Sequence, residues 1–205
     1  MRDCNKKMLE CQLMKKILVI LGHPSLESFN GAIFKHYIKS ARIAGHQVRT
    51  LELGELNFDV VFRNPHDRNV ELEPDLKKAQ KDISWAEHLV FIYPIWWGNV
   101  PALLKGFIDR VFLSGFSHHY LSGSRHEKLL SGRSAHLIIT MDGPTIFESI
   151  YLCGSATTRV MKQATLEFCG IKPVKITRIG QLRKKDKAAR EKILEKITEL
   201  AGQAF

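Results

Sequence analysis

The chain contains little cysteine, no long apolar run and no obvious targeting segment. Its four cysteines, Cys4, Cys11, Cys153 and Cys169, form no Cys-x-x-Cys pair and have no histidines nearby at zinc-ligand spacing. Reduced thiols and a cytoplasmic location are therefore expected. No segment approaches the roughly 20 consecutive apolar residues that a membrane helix requires, so we predict no membrane insertion, and the amino terminus lacks the apolar core of a signal peptide.

Two common phosphate-binding fingerprints are absent as well. Neither Gly-x-Gly-x-x-Gly nor Gly-x-x-x-x-Gly-Lys-Ser/Thr occurs, which argues against a Rossmann nicotinamide site and a P-loop. The net charge of +10 invites a nucleic-acid interpretation. The basic residues are nevertheless spread along the chain, and the densest cluster, at 183–190, begins a predicted helix that also carries acidic residues. We interpret it as a solvated helical face and predict no nucleic-acid partner, although a basic surface would also suit anionic dinucleotides.

Apolar patterning predicts a single domain over residues 14–205, in which strands alternate with helices. With 205 residues and 44% hydrophobic content, the chain can bury one core. The predicted strands cover residues 16–21, 47–53, 89–93, 135–141 and 174–179. The predicted helices cover residues 28–44, 76–86, 101–113, 146–168 and 184–201. We expect residues 1–13 to be an unstructured amino-terminal extension or a start-site artefact, and 54–75 and 114–132 to be long loops.

This alternation predicts an α/β fold: a three-layer, doubly wound, five-stranded parallel sheet with helices on both faces. We predict the strand order 2-1-3-4-5. In that order the chain reverses direction between the first and third strands, so the loops at their carboxyl ends diverge and open a crevice. The loop after the fourth strand, at residues 140–144, would border the same crevice.

The most informative segment is the loop after the third strand. Trp96 and Trp97 are adjacent on this strand-to-helix loop, and Pro101 stands at the start of the next helix. Paired indoles beside Gly98 would offer a flat wall with close access to the backbone, which suits a planar cofactor. The alternative is that these tryptophans pack in the core or at a dimer interface.

Two segments carry a resemblance to a known family. Residues 93–111 read Y-P-I-W-W-G-N-V-P-A-L-L-K-G-F-I-D-R-V, and residues 22–30 read G-H-P-S-L-E-S-F-N. They resemble the flavodoxin-like NAD(P)H:quinone oxidoreductases, often called DT-diaphorase-like. In that family the first of these two segments reads P-x-x-W/F-x-G-x-P-A-x-L-K-G-x-x-x-R-V. Weaker similarity occurs at 57–59, 168–170 and 179–180. The resemblance extends over the chain from Met14 onward and implies a flavodoxin-like fold.

The resemblance implies a flavoprotein enzyme. It implies one FAD or FMN per subunit, NAD(P)H as co-substrate, a quinone or similar small molecule as electron acceptor, a ping-pong mechanism and a homodimer. The cofactor-binding residues implied by the motif positions are His23, Ser28, Phe29, Asn30, Pro94, Ile95, Trp96, Trp97, Gly98, Thr140, Gly143 and Arg190. Arg190 would touch the adenosine half of FAD, although a solvated helix explains it equally well.

The first loop has a physical rationale as a phosphate site. A helix beginning near Ser28 presents unpaired N–H groups and the positive end of its dipole, and the Ser28 and Asn30 side chains could donate further hydrogen bonds. An ordinary helix cap explains Ser28 as well. His23 could be a partly buried histidine with a satisfied ring.

The sequence departs from the family pattern in two places. Thr140-Met141-Asp142-Gly143 stands where the family has Thr-Thr-Gly-Gly or Thr-Ser-Gly-Gly. Relay tyrosine and histidine residues of mammalian-type members fall on Glu148 and Gly154, and no histidine follows His136. Trp97 and Tyr151 are the candidate catalytic residues, with Tyr151 replacing the relay tyrosine. Activity does not require the relay, because the flavin carries the chemistry.

A last candidate segment is Phe116-Ser117-His118-His119-Tyr120. By resemblance, His118 and Tyr120 would cap the substrate site, commonly that of the second subunit. A metal site is the alternative, but adjacent histidines point apart and no third ligand is evident. Two alternative functions are a redox-sensing regulatory subunit of a potassium-efflux antiporter and a one-electron flavodoxin shuttle. The shuttle fits poorly, because such proteins are usually acidic and lack the tryptophan pair.

Overall fold

A computed structural model describes residues 14–63, 71–121, 125–144 and 156–203. The strands are Lys16–Leu21 (β1), Gln47–Glu52 (β2), His88–Pro94 (β3), His118–Tyr120 (β4), His126–Lys128 (β5), Ser134–Thr140 (β6) and Val174–Ile179 (β7). The α-helices are Phe29–Ile43 (α1), Pro74–Trp85 (α2), Ala102–Val111 (α3), Ala156–Arg159 (α4) and Lys187–Gly202 (α5). Short 3-10 turns cover Leu53–Glu55 and Leu182–Lys184.

The central sheet is parallel and has the order β2-β1-β3-β6-β7. This confirms the predicted order 2-1-3-4-5 of the five core strands and the flavodoxin-like α/β architecture. Every residue of β3 and β6 is buried, as expected for inner strands that are covered on both faces. The register pairs Leu21 with Ile92 and Pro94 with Thr140, so the carboxyl ends of β1, β3 and β6 lie side by side.

Two apolar cores fill the space between the sheet and its helical layers. One packs Leu76, Ile83, Leu104 and Leu166 against the sheet, on the side of α2 and α3. The other packs Ile33, Tyr37, Ile197 and Ala201 on the opposite side, where α1 and α5 lie. Each fully buried Leu or Ile side chain contributes about 1.5–3 kcal/mol relative to an exposed one, so the two layers together hold the sheet.

Local signals place the ends of α1. Ser28 is its N-cap and accepts a hydrogen bond from the Gly31 N–H at 3.1 Å. The helix ends before Gly45, which has φ of 89°, a left-handed conformation that glycine adopts without steric cost. The N-cap satisfies one of the first-turn donors, and α1 begins directly after the loop that follows β1.

The structure differs from the sequence predictions in three places. The loop at 114–132 contains the β4–β5 hairpin, whose three-residue strands are too short for an alternation pattern to predict. The helix predicted over 146–168 is described only from residue 156, and from Val160 to Glu167 it is a π-helix. The basic cluster at 183–190 is divided between the 3-10 turn and the start of α5, which begins at Lys187 rather than at residue 184. Residues 1–13 lie outside the described ranges.

Candidate functional site

Three loops meet at the carboxyl ends of β1, β3 and β6. The Gly22 N–H donates to the Ile92 carbonyl at 2.8 Å, which joins the first loop to β3. The Ile95 N–H donates to the Thr140 carbonyl at 2.8 Å, which joins the second loop to the end of β6. The motifs found separately in the sequence are therefore neighbours in space, at the position where open α/β sheets bind ligands.

The first loop is organised by its own side chains. His23 Nδ1 accepts a hydrogen bond from the Ser25 N–H at 2.9 Å, and Ser28 Oγ donates to the Ser25 carbonyl at 2.8 Å. Gly31 allows the loop to pack on the first turn of α1, because a Cβ there would overlap the Leu26 carbonyl. The Ser28 hydroxyl is thus occupied by bonds within the protein, and a ligand at this turn would meet backbone donors.

Those backbone donors belong to the first turn of α1. Within the described part of the chain, the N–H groups of Phe29 and Asn30 have no hydrogen-bond acceptor. They lie at the positive end of a fifteen-residue helix with no acidic residue in its first turn. Unpaired N–H groups and the helix dipole together favour an anion such as a phosphate.

Asn30 itself ties the first loop to the third. Its side chain is 4% exposed, and Nδ2 and Oδ1 lie 3.0 Å and 3.2 Å from Thr140 Oγ1. The Thr140 hydroxyl is buried with it. The two polar side chains therefore bond to each other, which uses the Thr140 hydroxyl hydrogen and one of the two Nδ2 hydrogens of Asn30.

The second loop is a tight turn carrying the two tryptophans. Trp96 and Asn99 exchange two backbone hydrogen bonds, each 2.9 Å long. The central residues, Trp97 and Gly98, have φ of 50° and 69°. Two positive φ values at the centre are characteristic of a type I′ turn, a conformation that a bulky residue such as tryptophan rarely adopts. Such backbone strain is concentrated at functional sites, so the turn is a candidate for one.

The turn presents its indoles to the outside. Trp97 is fully exposed, and Trp96 is half exposed, with its ring edge-on to His23 at 5.5 Å between centroids. The interpretation that these tryptophans belong to the core is therefore excluded. The N–H groups of Trp97 and Gly98 have no acceptor among the described residues, whereas those of Ile95 and Trp96 bond to the protein.

The third loop has open space beside its glycine. A Cβ placed on Gly143 would meet no atom within 4 Å. The Gly143 carbonyl accepts a hydrogen bond from the Gln181 N–H at 3.1 Å, which anchors the loop. Asp142, the residue that departs from the family pattern, forms an exposed ion pair with Arg183 at 2.9 Å. The carboxylate is thus neutralised by a partner from the segment after β7.

Arg190 lies beside the first loop. Its guanidinium carbon is 5.3 Å from the centre of the Phe29 ring, a cation–π arrangement. Its Nε donates to the Lys185 carbonyl at 3.2 Å. These contacts fix a positive charge next to the helix turn that offers the free N–H groups.

The predicted capping residues lie elsewhere, beside a cavity of about 1010 Å³. His118 and Tyr120 contact each other edge-on at 5.0 Å, and the His118 ring meets the edge of Phe168 at 5.2 Å. The His126 ring stacks on the Phe168 ring, with 4.0 Å between the ring centroids. Partial burial, reinforced by His126 and His119, lowers the pKa of His118. A cluster of aromatic rings, His118, Tyr120 and Phe168, therefore lines part of this cavity.

Phe168 is a residue of this group that the sequence does not indicate. It lies in the weakly similar segment 168–170, but nothing in its local sequence marks a ring that two histidines contact. It follows the π-helix, whose wider turn is carried by bonds such as Phe168 N–H to the Gln163 carbonyl at 3.1 Å. Tyr151, the candidate catalytic tyrosine, lies outside the described residues, and its role stays a prediction.

Metal sites and membrane-spanning helices are two further features that the described ranges bear on. No three or more His, Cys, Asp and Glu side chains there are grouped as a metal site would require. None of the helices in those ranges combines the length and the apolar character of a membrane span.

Comparison with known proteins decides the family. Residues 15–201 match the family described as Flavodoxin-like fold (Flavodoxin_2). The chain belongs to this flavodoxin-like family. A solved structure of Smu.1420 from Streptococcus mutans UA159 is 32% identical, with a TM-score of 0.74, and the match covers 91% of this chain and 98% of that one. The suspected family resemblance is thus confirmed.

Two named relatives add information on activity. A ribosyldihydronicotinamide dehydrogenase-like protein, traD, of Penicillium crustosum is 30% identical over 154 residues, covering 62% of this chain and 58% of that protein. The ribosyldihydronicotinamide dehydrogenase [quinone] of Pongo abelii is 28% identical over 181 residues, covering 77% of this chain and 78% of that protein. The match thus spans less than two thirds of the first relative and more than three quarters of the second.

Proposed function

We propose that this protein is a flavin-dependent NAD(P)H dehydrogenase that passes electrons from NAD(P)H to a quinone or a similar small acceptor. The observation that carries the proposal is the convergence of three loops on one crevice, where unpaired helix N–H groups and exposed indoles lie together. The dehydrogenase names of the relatives support it. They favour an enzyme over the regulatory subunit of an antiporter.

The crevice fits a flavin cofactor. Backbone N–H groups of Phe29 and Asn30 would hold its phosphate, with Ser28 keeping the helix turn in place. Arg190 would add a positive charge near an adenosine half, if the cofactor is FAD. Open space at Gly143 leaves room for the ring edge at the third loop.

The ring would lie against the second loop. Pro94 and Ile95 hold that loop to the end of β6, and Trp96 and Trp97 supply flat surfaces. The free N–H groups of Trp97 and Gly98 are the donors available to a ring oxygen or nitrogen. Such donors stabilise negative charge that builds up during electron transfer.

A bound flavin supplies the redox chemistry, accepting a hydride from NAD(P)H and reducing the acceptor. The protein's own contribution is to bind, orient and shield. In a ping-pong scheme both substrates use one pocket in turn, which accounts for the lack of a separate nicotinamide fingerprint. The exposed Trp97 face is the surface on which we expect each substrate to stack.

We further propose that the enzyme is a homodimer in which the second copy covers the aromatic cavity. His118 and Tyr120 would then cap the substrate site of the partner. The exposed Val160 and Tyr120 side chains beside this cavity support an interface. A cytoplasmic location stays a prediction from the sequence.

The dimer is tested by sedimentation of wild type and of Val160→Glu. The variant is expected to sediment as a monomer, because a charge would be buried at the interface without a partner. Ile43→Glu is the matched control, since Ile43 is exposed but lies on α1 away from the cavity. A monomeric wild type, or equal behaviour of the two variants, would contradict the proposed interface.

The activity is tested by the visible spectrum of the purified protein, followed by NADPH and then menadione. A yellow protein that bleaches with NADPH and recovers with menadione supports the enzyme. Bleaching with negligible turnover would favour a regulatory subunit, and a colourless protein that cannot be reconstituted would overturn both. Trp97→Ala is expected to lower kcat/KM at least about tenfold, while Ile43→Ala leaves it unchanged.

A further inference from the structure

A second cavity lies at the carboxyl end of β7, where this strand meets α5. Its volume is about 350 Å³, within the lower range of sites for small ligands. The lining combines three cations, Arg178, Lys185 and Lys196, with the isoleucines at 179, 193 and 197. None of the twelve cofactor-binding residues implied by the family resemblance lines it, although Pro144, at the end of the third loop, does.

The charge of this cavity is one-sided. No aspartate or glutamate is among its described lining residues. Lys185 and Lys196 have no carboxylate within ion-pair distance in the described chain. Like charges held around one concave surface repel each other, and an anion between them would remove that repulsion.

The floor of the cavity is apolar. Ile197 and Ile179 are 1% and 7% exposed, and Ile193 is partly buried against the same core. Ile193, Lys196 and Ile197 share one face of α5, because residues three and four apart on a helix are neighbours. The cations therefore stand beside a patch that would exclude water from an apolar group.

The cavity borders the end of the third loop, where Pro144 is one of its lining residues. The Gln181 N–H donates to the Gly143 carbonyl at 3.1 Å, and Gln181 lines the cavity whereas Gly143 does not. Phe29 and Arg190, which lie beside the proposed phosphate turn, do not line it.

From this combination we propose a binding site for a small organic anion with an apolar body, such as an aromatic carboxylate, sulfonate or phosphate ester. The anionic group pairs with Lys185 and Lys196, and the apolar body rests on the isoleucines. The site is additional to the proposed flavin crevice and does not depend on the proposed activity.

The test uses 8-anilinonaphthalene-1-sulfonate as the probe on the full-length protein saturated with FMN, with binding followed by titration calorimetry. The wild type is expected to bind one probe molecule per chain. The Lys185→Gln/Lys196→Gln variant is expected to bind it at least tenfold more weakly. Lys184→Gln/Lys192→Gln is the matched control, since it removes the same charge from neighbouring positions that do not line the cavity.

Three further measurements make the result decisive. A naphthalene derivative with an ammonium group in place of the sulfonate should not compete with the probe. Thermal melting should be equal in both double variants, so that a change in Kd does not reflect misfolding. Absent binding by the wild type, or equal weakening in the control variant, would overturn the proposal. Probe binding that is seen only with flavin-free protein and is lost when FMN or FAD is added would also overturn it, because the probe would then lie in the flavin crevice.

Discussion

The Asn30 amide and the Thr140 hydroxyl, 110 positions apart in sequence, bond to each other in the buried space between α1 and the end of β6. This pair joins α1, the helix that offers free N–H groups, to β6, the strand that leads into the third loop. Neither side chain forms a hydrogen bond to any other described residue.

Thr140→Val is therefore expected to destabilise the fold by about 1–3 kcal/mol, because the buried Asn30 amide would lose its partner. Urea unfolding measures the change. Thr50→Val removes a hydroxyl of β2 that has no hydrogen-bond partner among the described residues, and it should cost less than about 0.5 kcal/mol. Equal losses in the two variants would show that the Asn30 bond contributes nothing specific.

Ser28 allows the cap to be separated from the proposed phosphate site. Ser28→Asp keeps a good N-cap, so stability should change by less than about 0.5 kcal/mol. The added negative charge beside the free N–H groups should weaken FMN binding at least about tenfold. FMN fluorescence titration measures this.

The control for that substitution is the reverse change at the other capped helix. Asp186 caps α5 through the Ala189 N–H at 2.8 Å, and Asp186→Ser should leave FMN affinity unchanged. Unaltered FMN binding by Ser28→Asp would place the phosphate elsewhere.

The positive φ of Trp97 is expected to reduce the stability of the protein, although the side chain serves its function. Trp97→Gly should be more stable than Trp97→Ala by about 1 kcal/mol, because only glycine adopts a positive φ without steric cost. Both variants should lose quinone reductase activity equally. The comparison of urea midpoints and initial rates checks the prediction, and an Ala variant as stable as Gly would show that the turn relaxes to a different conformation.

Two buried histidines should make the fold sensitive to acid. Burial lowers the pKa of His88 to about 3, assisted by the nearby His136 and Lys15, and burial lowers the pKa of His136 to about 4. Their rings bond to Ser134 Oγ and Thr177 Oγ1, each at 2.8 Å. Both lie in the sheet, away from the proposed crevice.

The sign follows from the two states. In the unfolded chain a histidine has a pKa of about 6.5, so below that pH the unfolded chain binds more protons than the native one. The contribution of these two histidines to the free energy of unfolding is fully present above about pH 6.5. It decreases as the pH falls toward their pKa values in the folded state, by about 1.4 kcal/mol per pH unit and per histidine.

Urea unfolding at a series of pH values from about 7 to 4.5 measures this slope. His136→Gln should reduce the slope by about half over that interval, whatever its effect on stability at neutral pH. Replacing the exposed His119 by Gln should leave the slope unchanged. A slope that is the same in all three proteins would contradict the assignment.

Much of the fold follows from local sequence patterns. The apolar runs of β1, β3 and β6 predict inner parallel strands, because strands covered on both faces need no polar alternation. Ser28 and Gly45 mark the ends of α1 through bonds and dihedral preferences that involve only neighbouring residues. The proximity of the first and second loops follows once the strand order is known.

Tertiary structure decided what patterns of neighbours cannot encode. The mutual bond of Asn30 and Thr140, the exposure and positive φ of Trp97, and the contact of His118 with Phe168 each depend on packing between elements distant in the sequence. The same holds for the cations that gather around the β7 cavity. Sequence patterns report interactions between residues that are close along the chain. These features instead depend on which distant segments the folded sheet brings into contact.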